Sequence, residues 1–537
     1  MEHLEQKQKV TIMIAIMAAM LFAALNQTIV GTALPRIISD IGGMDYYNWV
    51  FTVYMLGSSV TAILVGKLSD IYGRKIFILI GIGLFLVASF LNGTSTNITQ
   101  LIIYRGIQGM AGGVIMSTSF TAVGDLFSPR ERGRWQGLMG GIFGLSSVFG
   151  PTLGGYIVDN WNWQWVFWIF LPVGVVAFIL IVKMFPNTEK RERESVDYFG
   201  SVFITLAMIP LLLAFSWAGT TYDWVSFQII GLFFASVIFF LLFIYTEKKV
   251  KSPVLPLELF KNSIFSVANF SGLVLGMGMF GAIMYVPLFV QGVIGTSATQ
   301  SGFVMMPMTL SMVLTSAVGG QIITKTGKYK LQAILGLAVM TIGLFLLSQM
   351  GMESTNGTAV RNMIITGLGL GLSFPIFTLV VQNAVEHRLL GVATASNQLF
   401  RQLGGTIGVS IMGTVMSARM SDKMADLANA SEGLPQKDSP LAEQFAALKN
   451  PQILMNPDQL DALRDKVPED FVNYFDQAIL MLRESLNYAL EGVFFVGAGV
   501  ILIGILLTFF LKEIPLRTSN KKEETKASDN LKHQPSE

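Results

Sequence analysis

The sequence predicts an all-α integral membrane protein of 14 transmembrane helices, built as two pseudo-symmetric six-helix bundles with two further helices inserted between them. Three observations carry this reading. The 537 residues are 52% hydrophobic and 13% charged, against about 25% charged residues in soluble domains. Runs of roughly 18 or more residues with almost no charge, the length needed to cross the hydrocarbon layer, recur along the whole chain. Short motifs in the first part of the chain also return, in the same order, in the second part.

The spans fall near 10–31, 47–66, 76–94, 101–124, 136–158 and 163–184 in a first bundle, residues 1–186. Two more, near 198–217 and 225–245, form an insert over 187–262. The last six, near 263–291, 300–323, 331–350, 359–384, 391–418 and 487–511, make a second bundle over 263–537. The first run lacks a short apolar core followed by a small-residue cleavage site, so it reads as a retained helix. Lys and Arg gather in the segments GRK, SPRERGR, EKRER and EKKVK and in the two tails, whereas the outer turns hold little besides Arg36 and the bases of one long loop. By the positive-inside rule both termini are then cytoplasmic, in a multi-pass protein of the cell membrane.

The long outer loop, 419–486, is rich in charge, with prolines that restart helices at Pro440, Pro457 and Pro468, and Asn456 placed as an N-cap. From Pro468 onward Phe471, Tyr474, Phe475, Ala478, Ile479 and Leu482 recur on one helical face. This segment reads either as an amphipathic tether into the last span or as a lid over the outer mouth. The tail, 512–537, is the longest cytoplasmic segment, too short for the output module of a receptor or sensor. No carbonyl-filter segment of a channel is evident. With no cysteine, and with His3, His387 and His533 all outside the apolar runs, neither a metal centre nor an enzyme is expected, and no nucleic-acid partner either.

The turn after span 2 reads GKLSDIYGRK, Gly66 to Lys75, and the turn after span 10 reads GQIITKTGKYK, with Gly66/Gly73 and Gly320/Gly327 equally spaced and a basic residue after each second glycine. Span 4 carries Arg105 and Gly113, and span 12 carries Arg361 and Gly369 at the same spacing. Six helices plus two inserted ones keep both halves in the same orientation, the parallel-repeat layout found among transporters. The glycines of the first turn allow close approach and a sharp bend. Asp70 and Arg74 are suited to ion pairs between the cytoplasmic ends of helices, and Asp125, at the inner end of span 4, is placed to partner Arg74.

Taken together, GKLSDIYGRK, YRGIQGMAGG around Arg105, GLSSVFGPTLGGYI with Gly150, Pro151, Gly154 and Gly155, and the segments TIVGTALP and RQLGGTIGVSI resemble the major facilitator superfamily, and within it the fourteen-helix drug/proton antiporter branch. The resemblance covers essentially the whole chain. It implies a secondary active exporter of lipophilic drugs by alternating access, driven by a proton gradient with no cofactor, or alternatively an exporter of one endogenous lipid or metabolite. It also implies that Gly66, Asp70, Gly73, Arg74 and Asp125 form a conformational lock at the inner gate, and that the Pro151 bend marks exporters. A functional monomer in the bilayer, taking small amphiphiles and protons, is the expected working unit.

One departure stands out. The segment LNQTIV places Asn26, Gln27 and Thr28 inside an apolar run, and in the branch the position of Asn26 is often aspartate. Asn26 cannot titrate. No Asp or Glu lies near a midplane; Asp125, Asp159, Glu386 and Glu491 sit toward helix ends. Proton coupling is therefore assigned to Asp70 or Asp125, with Arg105 of the fourth-helix motif, or to a substrate that carries the proton itself. A cavity without a central anion fits neutral or weakly anionic amphiphiles better than permanent cations. Polar and aromatic residues that interrupt apolar faces, Asn26, Gln27, Trp49, Tyr54, Tyr285, Gln291, Gln382, Asn397, Gln398 and Arg401, are the candidate cavity wall. Arg401 lies deep in its span beside amides only, which points to carbonyl and amide partners or a substrate anion. Met305, Met306 and Met308 add flexible thioethers suited to a pocket for varied shapes.

Overall fold

The computed structural model describes residues 5–516 apart from 43–45, 187–196, 220, 251–252 and 297; between 431 and 471 it describes only 454, 460, 463–465 and 467. Pro440, Asn456, Pro457, Pro468 and Phe471 of the long loop lie outside the described residues. The described chain is helical, with one isolated bridge between Ala218 and Tyr222 and no strand. Its long helices are α1 (Gln6–Ile41), α2 (Tyr47–Tyr72), α3 (Arg74–Gly93), α4 (Ile98–Leu126), α5 (Pro129–Asn160), α6 (Trp165–Met184), α7 (Tyr198–Trp217) and α8 (Phe227–Glu247). They continue with α9 (Ser263–Leu288), α10 (Ala298–Thr326), α11 (Lys330–Ser348), α12 (Asn356–Asn383), α13 (Leu390–Ala430) and α14 (Val472–Phe509).

Local chemistry sets many of the helix starts. Asn97, Asp197, Ser226, Asn262 and Thr355 each accept a backbone N–H of the first turn of α4, α7, α8, α9 and α12. The turns between α2 and α3 and between α10 and α11 pass through Gly73 (φ 96°) and Gly327 (φ 70°), a left-handed conformation that other residues rarely adopt.

Among the described residues, 12 helices are long and apolar enough to cross a membrane. The two long helices outside that set are α4 and α13. Their length suffices, but α4 carries Arg105 and Gln108 and a run of Ser and Thr, and α13 carries Asn397, Gln398, Arg401 and Gln402, so apolarity alone does not mark them.

The two halves repeat one packing scheme. In the first, α1 packs on α5, α2 on α4 and α3 on α4; in the second, α9 packs on α13, α10 on α12 and α11 on α12. Glycines set the closest approaches. Gly109 and Gly113 of α4 face the main chain of Tyr54 and Ser58 on α2, and Gly367 and Gly371 of α12 face that of Met308 and Met312 on α10. This register corrects the sequence alignment of the repeat: Arg105 corresponds to Met363, and Arg361 to Ile103. Two residues turn a helix by about 200°, which is why Arg105 is fully buried while Arg361 lies exposed, bonded to its neighbour Asn362.

Between the halves, α2 meets α13 and α5 meets α10, again a symmetric pair of seams. The inserted hairpin α7–α8 lies on the α2–α13 seam, where Ile204, Met208 and Leu212 join Ile63, Val392 and Leu399 in one apolar cluster. The long loop is shorter than 419–486, because both flanking helices run on into it. α13 has 41 residues, about 60 Å at 1.5 Å per residue, twice the hydrocarbon thickness. Its end pairs with the start of α14 through Lys423–Glu484 at 3.0 Å and Arg419 stacked on Tyr488. Phe475, Ile479 and Leu482 of the predicted amphipathic face are buried, in a helix continuous with the last span.

Candidate functional site

At one end of the bundle, the positive-φ turn at Gly73 brings Arg74 back against α2. Its guanidinium pairs with Asp70, donates to Asp125 of α4 at 3.0 Å and reaches the Ser69 hydroxyl at 2.6 Å, all three groups being almost fully buried. Asp70 in turn accepts the backbone N–H groups of Gly391 and Val392, both at 3.1 Å. These are first-turn amides of α13, so a carboxylate of the first half sits at a helix N-terminus of the second, where free donors and the helix dipole both favour it. Gly66 makes room for the approach: a Cβ there would meet Gly391 O at 2.9 Å and the Ala395 methyl.

Further bonds close the same end in layers. Gln136 on α5 donates to Gln382 on α12 at 2.9 Å, and Gln382 donates to Phe120 O on α4 and to Thr394 on α13. Gln398 donates to Met116 O, and deeper still Ser59 donates to Gln402 at 2.9 Å.

Beyond this seal lies a cavity of about 180 Å³. Its wall is drawn from α1, α2, α4 and α5 of one half and α9, α10, α12 and α13 of the other. Met55, Met116, Met279, Met305, Met308 and Met312, with Phe143, Phe280 and Phe374, make it predominantly apolar. Gln27, Ser58, Ser146, Gln398 and Gln402 add polar groups. No carboxylate lines it among the described residues, and its one charged side chain is Arg401. The guanidinium of Arg401 lies over the Phe374 ring at 4.3 Å and faces Phe120 at 5.8 Å.

Behind the wall, inside the first half, is a buried polar network. Arg105 donates to Gln108 at 2.7 Å and lies over the Tyr54 ring at 4.4 Å, while its Nε and Nη2 have no hydrogen-bond partner. Gln108 donates to Ser89 and, at 3.4 Å, to the Asn26 side chain, and it accepts from Asn92.

Residues 16–409 match the family described as the Major Facilitator Superfamily. The chain belongs to that superfamily. Across its length it is 41% identical over 524 residues, 97% of this chain and 96% of the relative, to the Multidrug transporter protein MdtP of Bacillus subtilis. It is 33% identical over 508 residues, 95% and 96% of the two chains, to Multidrug resistance protein 3 of the same organism. The crystal structure of the human organic anion transporter MFSD10 (TETRAN) superposes with a TM-score of 0.59 over 93% of this chain and 99% of that one, at 14% identity, a likeness of fold alone. This member of the superfamily is thus a multi-span membrane transporter of small molecules, not an enzyme.

The superfamily motifs fall in distinct places. Gly66, Asp70, Gly73, Arg74 and Asp125 converge on one cluster, whereas Arg105 lies some 20 residues up α4, about 30 Å from Asp125, and belongs to a different network. Pro151 is interior to α5 and has no amide to give the Ser147 carbonyl. Gly150 packs against Thr28 of α1, whose hydroxyl donates to Ser146 O at 2.7 Å; Gly154 is buried, and Gly155 faces open space.

Of the residues read as cavity wall, Gln27, Tyr54, Gln398 and Arg401 line it. Asn26 is fully buried in the Arg105 network. Trp49 meets Trp217 of the insert edge to face, Tyr285 donates to Val409 O on α13, and Gln291 lies in the π-turn that prolongs α9. Gln382 belongs to the seal, and Asn397 accepts from Thr378 within the second half. Sequence reasoning missed Gln402, Ser146 and Phe374. Gln402 could have been found, since it sits beside Arg401 in the same polar stretch; the others carry no signal in their own helices.

Proposed function

We propose that this transporter exports varied lipophilic small molecules across the cell membrane by alternating access, as a monomer, with a proton gradient as the driving force. The observation that supports this reading most is the form of the closed end. Each layer of the seal joins the first half to the second, so separating the halves at that end opens the cavity while each half keeps its own packing. On this reading the lock end and both termini face the cytoplasm, α4 and α13 cross the bilayer with the other 12 helices, and the cavity faces outward when the seal is shut. The names carried by the Bacillus relatives favour drug-like cargo, and the methionine-rich wall favours varied shapes over one tight fit. Asp70 and Asp125, buried carboxylates that share the Arg74 guanidinium at the lock end, are the groups assigned to proton exchange.

The test is dye uptake into inverted vesicles containing the full chain, with the vesicle interior made acidic or left at the outside pH. Uptake of several unrelated lipophilic dyes, stimulated by the gradient, is the expected result. No uptake of any dye counts against export, and uptake indifferent to the gradient counts against proton drive.

A further inference from the structure

We propose that the central cavity selects amphiphilic anions, molecules with an aromatic or aliphatic body and one acid group, and that Arg401 holds the acid group. This inference rests on the export reading above.

Arg401 is 8% exposed, and that exposure is to the cavity it lines. It forms no ion pair or hydrogen bond among the described residues; the Phe374 and Phe120 rings lie 4.3 and 5.8 Å from the guanidinium carbon but take none of its five N–H donors in a hydrogen bond. A guanidinium cannot escape burial by giving up its proton, so a cation taken out of water without a partner carries a large desolvation cost. A bound anion relieves that cost. The planar fork matches a carboxylate, sulfonate or phosphate in two parallel hydrogen bonds. Gln402, the next residue, has its side-chain oxygen occupied by Ser59 and keeps its amide N–H groups for the same ligand. Position is fixed from behind: Gly276 of α9 packs directly against the main chain of Arg401. A cationic cargo would meet this charge with no carboxylate on the wall to offset it, and a neutral one would leave it unpartnered.

The probes are a naphthalene sulfonate and its neutral sulfonamide, whose charges stay fixed over the working pH range. Binding to the purified full-length protein and uptake into inverted vesicles are compared for the natural chain, Arg401→Gln and Arg401→Lys, each normalised to folded, membrane-inserted protein. The sulfonate-to-sulfonamide affinity ratio should fall at least about ten-fold in Arg401→Gln, the size of losing a charge-assisted hydrogen bond. It should stay within about three-fold in Arg401→Lys, which keeps the cation but loses the fork. An unchanged ratio in Arg401→Gln overturns the proposal, as does a lysine variant that fails as fully as glutamine, since charge is then not what is recognised. Failure of the natural chain to bind the sulfonate while it exports the sulfonamide also overturns the anion site and leaves the export reading standing. Failure to move either compound counts against both.

Discussion

The Oδ1 atom of Asp70 accepts the backbone N–H of Gly391 at 3.1 Å, tying the end of α2 to the start of α13 in the opposite half. Bonds of this kind, with an ionised acceptor at a helix N-terminus, contribute about 1.5–3 kcal/mol. Because this one exists only while the two halves are closed at that end, its free energy weights one state against the other.

Replacing Asp70 by Asn keeps an acceptor and removes the charge, so the closed-to-open ratio should fall by about ten- to a hundred-fold. Transport should drop at least ten-fold, on the order expected from that shift, with membrane-inserted protein unchanged. Arg74→Ala should be as severe, since it strips both buried carboxylates of their shared guanidinium. The chain has no cysteine, so single-cysteine variants report accessibility at each end without background. Near-normal transport in both variants would remove the lock.

Gly66→Val tests the seam sterically rather than electrically. Any Cβ at 66 presses on the Gly391 carbonyl and the Ala395 methyl, and overpacking of this kind costs about 1–3 kcal/mol. The seal should fail to close fully, with labelling at the lock end raised and unfolding temperature little altered. Unchanged labelling would show that the seam has slack.

Asn26→Asp should leave the preference between cationic and neutral dyes unchanged, because Asn26 points into the Arg105 network and not into the cavity. The Asn26 side chain donates to Phe22 O at 3.1 Å and accepts from Gln108, and aspartate turns that donor into a buried acceptor facing the carbonyl, a loss of about 1–3 kcal/mol. A lower unfolding temperature at unchanged dye ratio is expected. A ratio shifted toward cations would mean that residue 26 meets the substrate after all.

Glu513 accepts the first amides of α11, from Tyr329 at 2.8 Å and Lys330 at 3.2 Å, while Tyr329 receives the Ile514 amide. Glu513→Ala removes a helix cap supplied by the segment that follows α14 and should cost about 1 kcal/mol. The unfolding temperature should fall and transport per folded protein should hold. Lost transport at normal stability would assign this corner a part in the cycle.

Much of the Arg74 cluster is legible in the sequence because its chemistry is local: Gly66 and Asp70 lie in the last two turns of α2, Gly73 and Arg74 make the bend that follows, and Asp125 lies at the end of α4 beside them. The cavity is less so, because what faces it depends on how far each helix is rotated. Asn26, Gln27 and Thr28 show this directly. Successive residues point about 100° apart, so these three reach α4, the cavity and α5 in turn, although in the sequence they read as one polar patch. The same rotation hides the true register of the repeat, where matching Arg105 to Arg361 sets a buried residue against an exposed one. Gln382 and Asn397 were recognisable as buried polar groups, but only the packing of the two halves sends one into the seal and keeps the other within its own bundle.

The lone guanidinium in the cavity has an electrical consequence. A membrane voltage falls mainly across whichever end of a transporter is shut, so on the alternating-access reading Arg401 crosses part of that voltage each time access switches. One full elementary charge moved through 100 mV is worth about 2.3 kcal/mol. An empty carrier swings a positive charge toward the negative interior, and a carrier neutralised by its anion swings none. Voltage then speeds the empty return step and leaves the loaded step nearly untouched, which makes turnover rise with membrane potential even at equal pH on both sides.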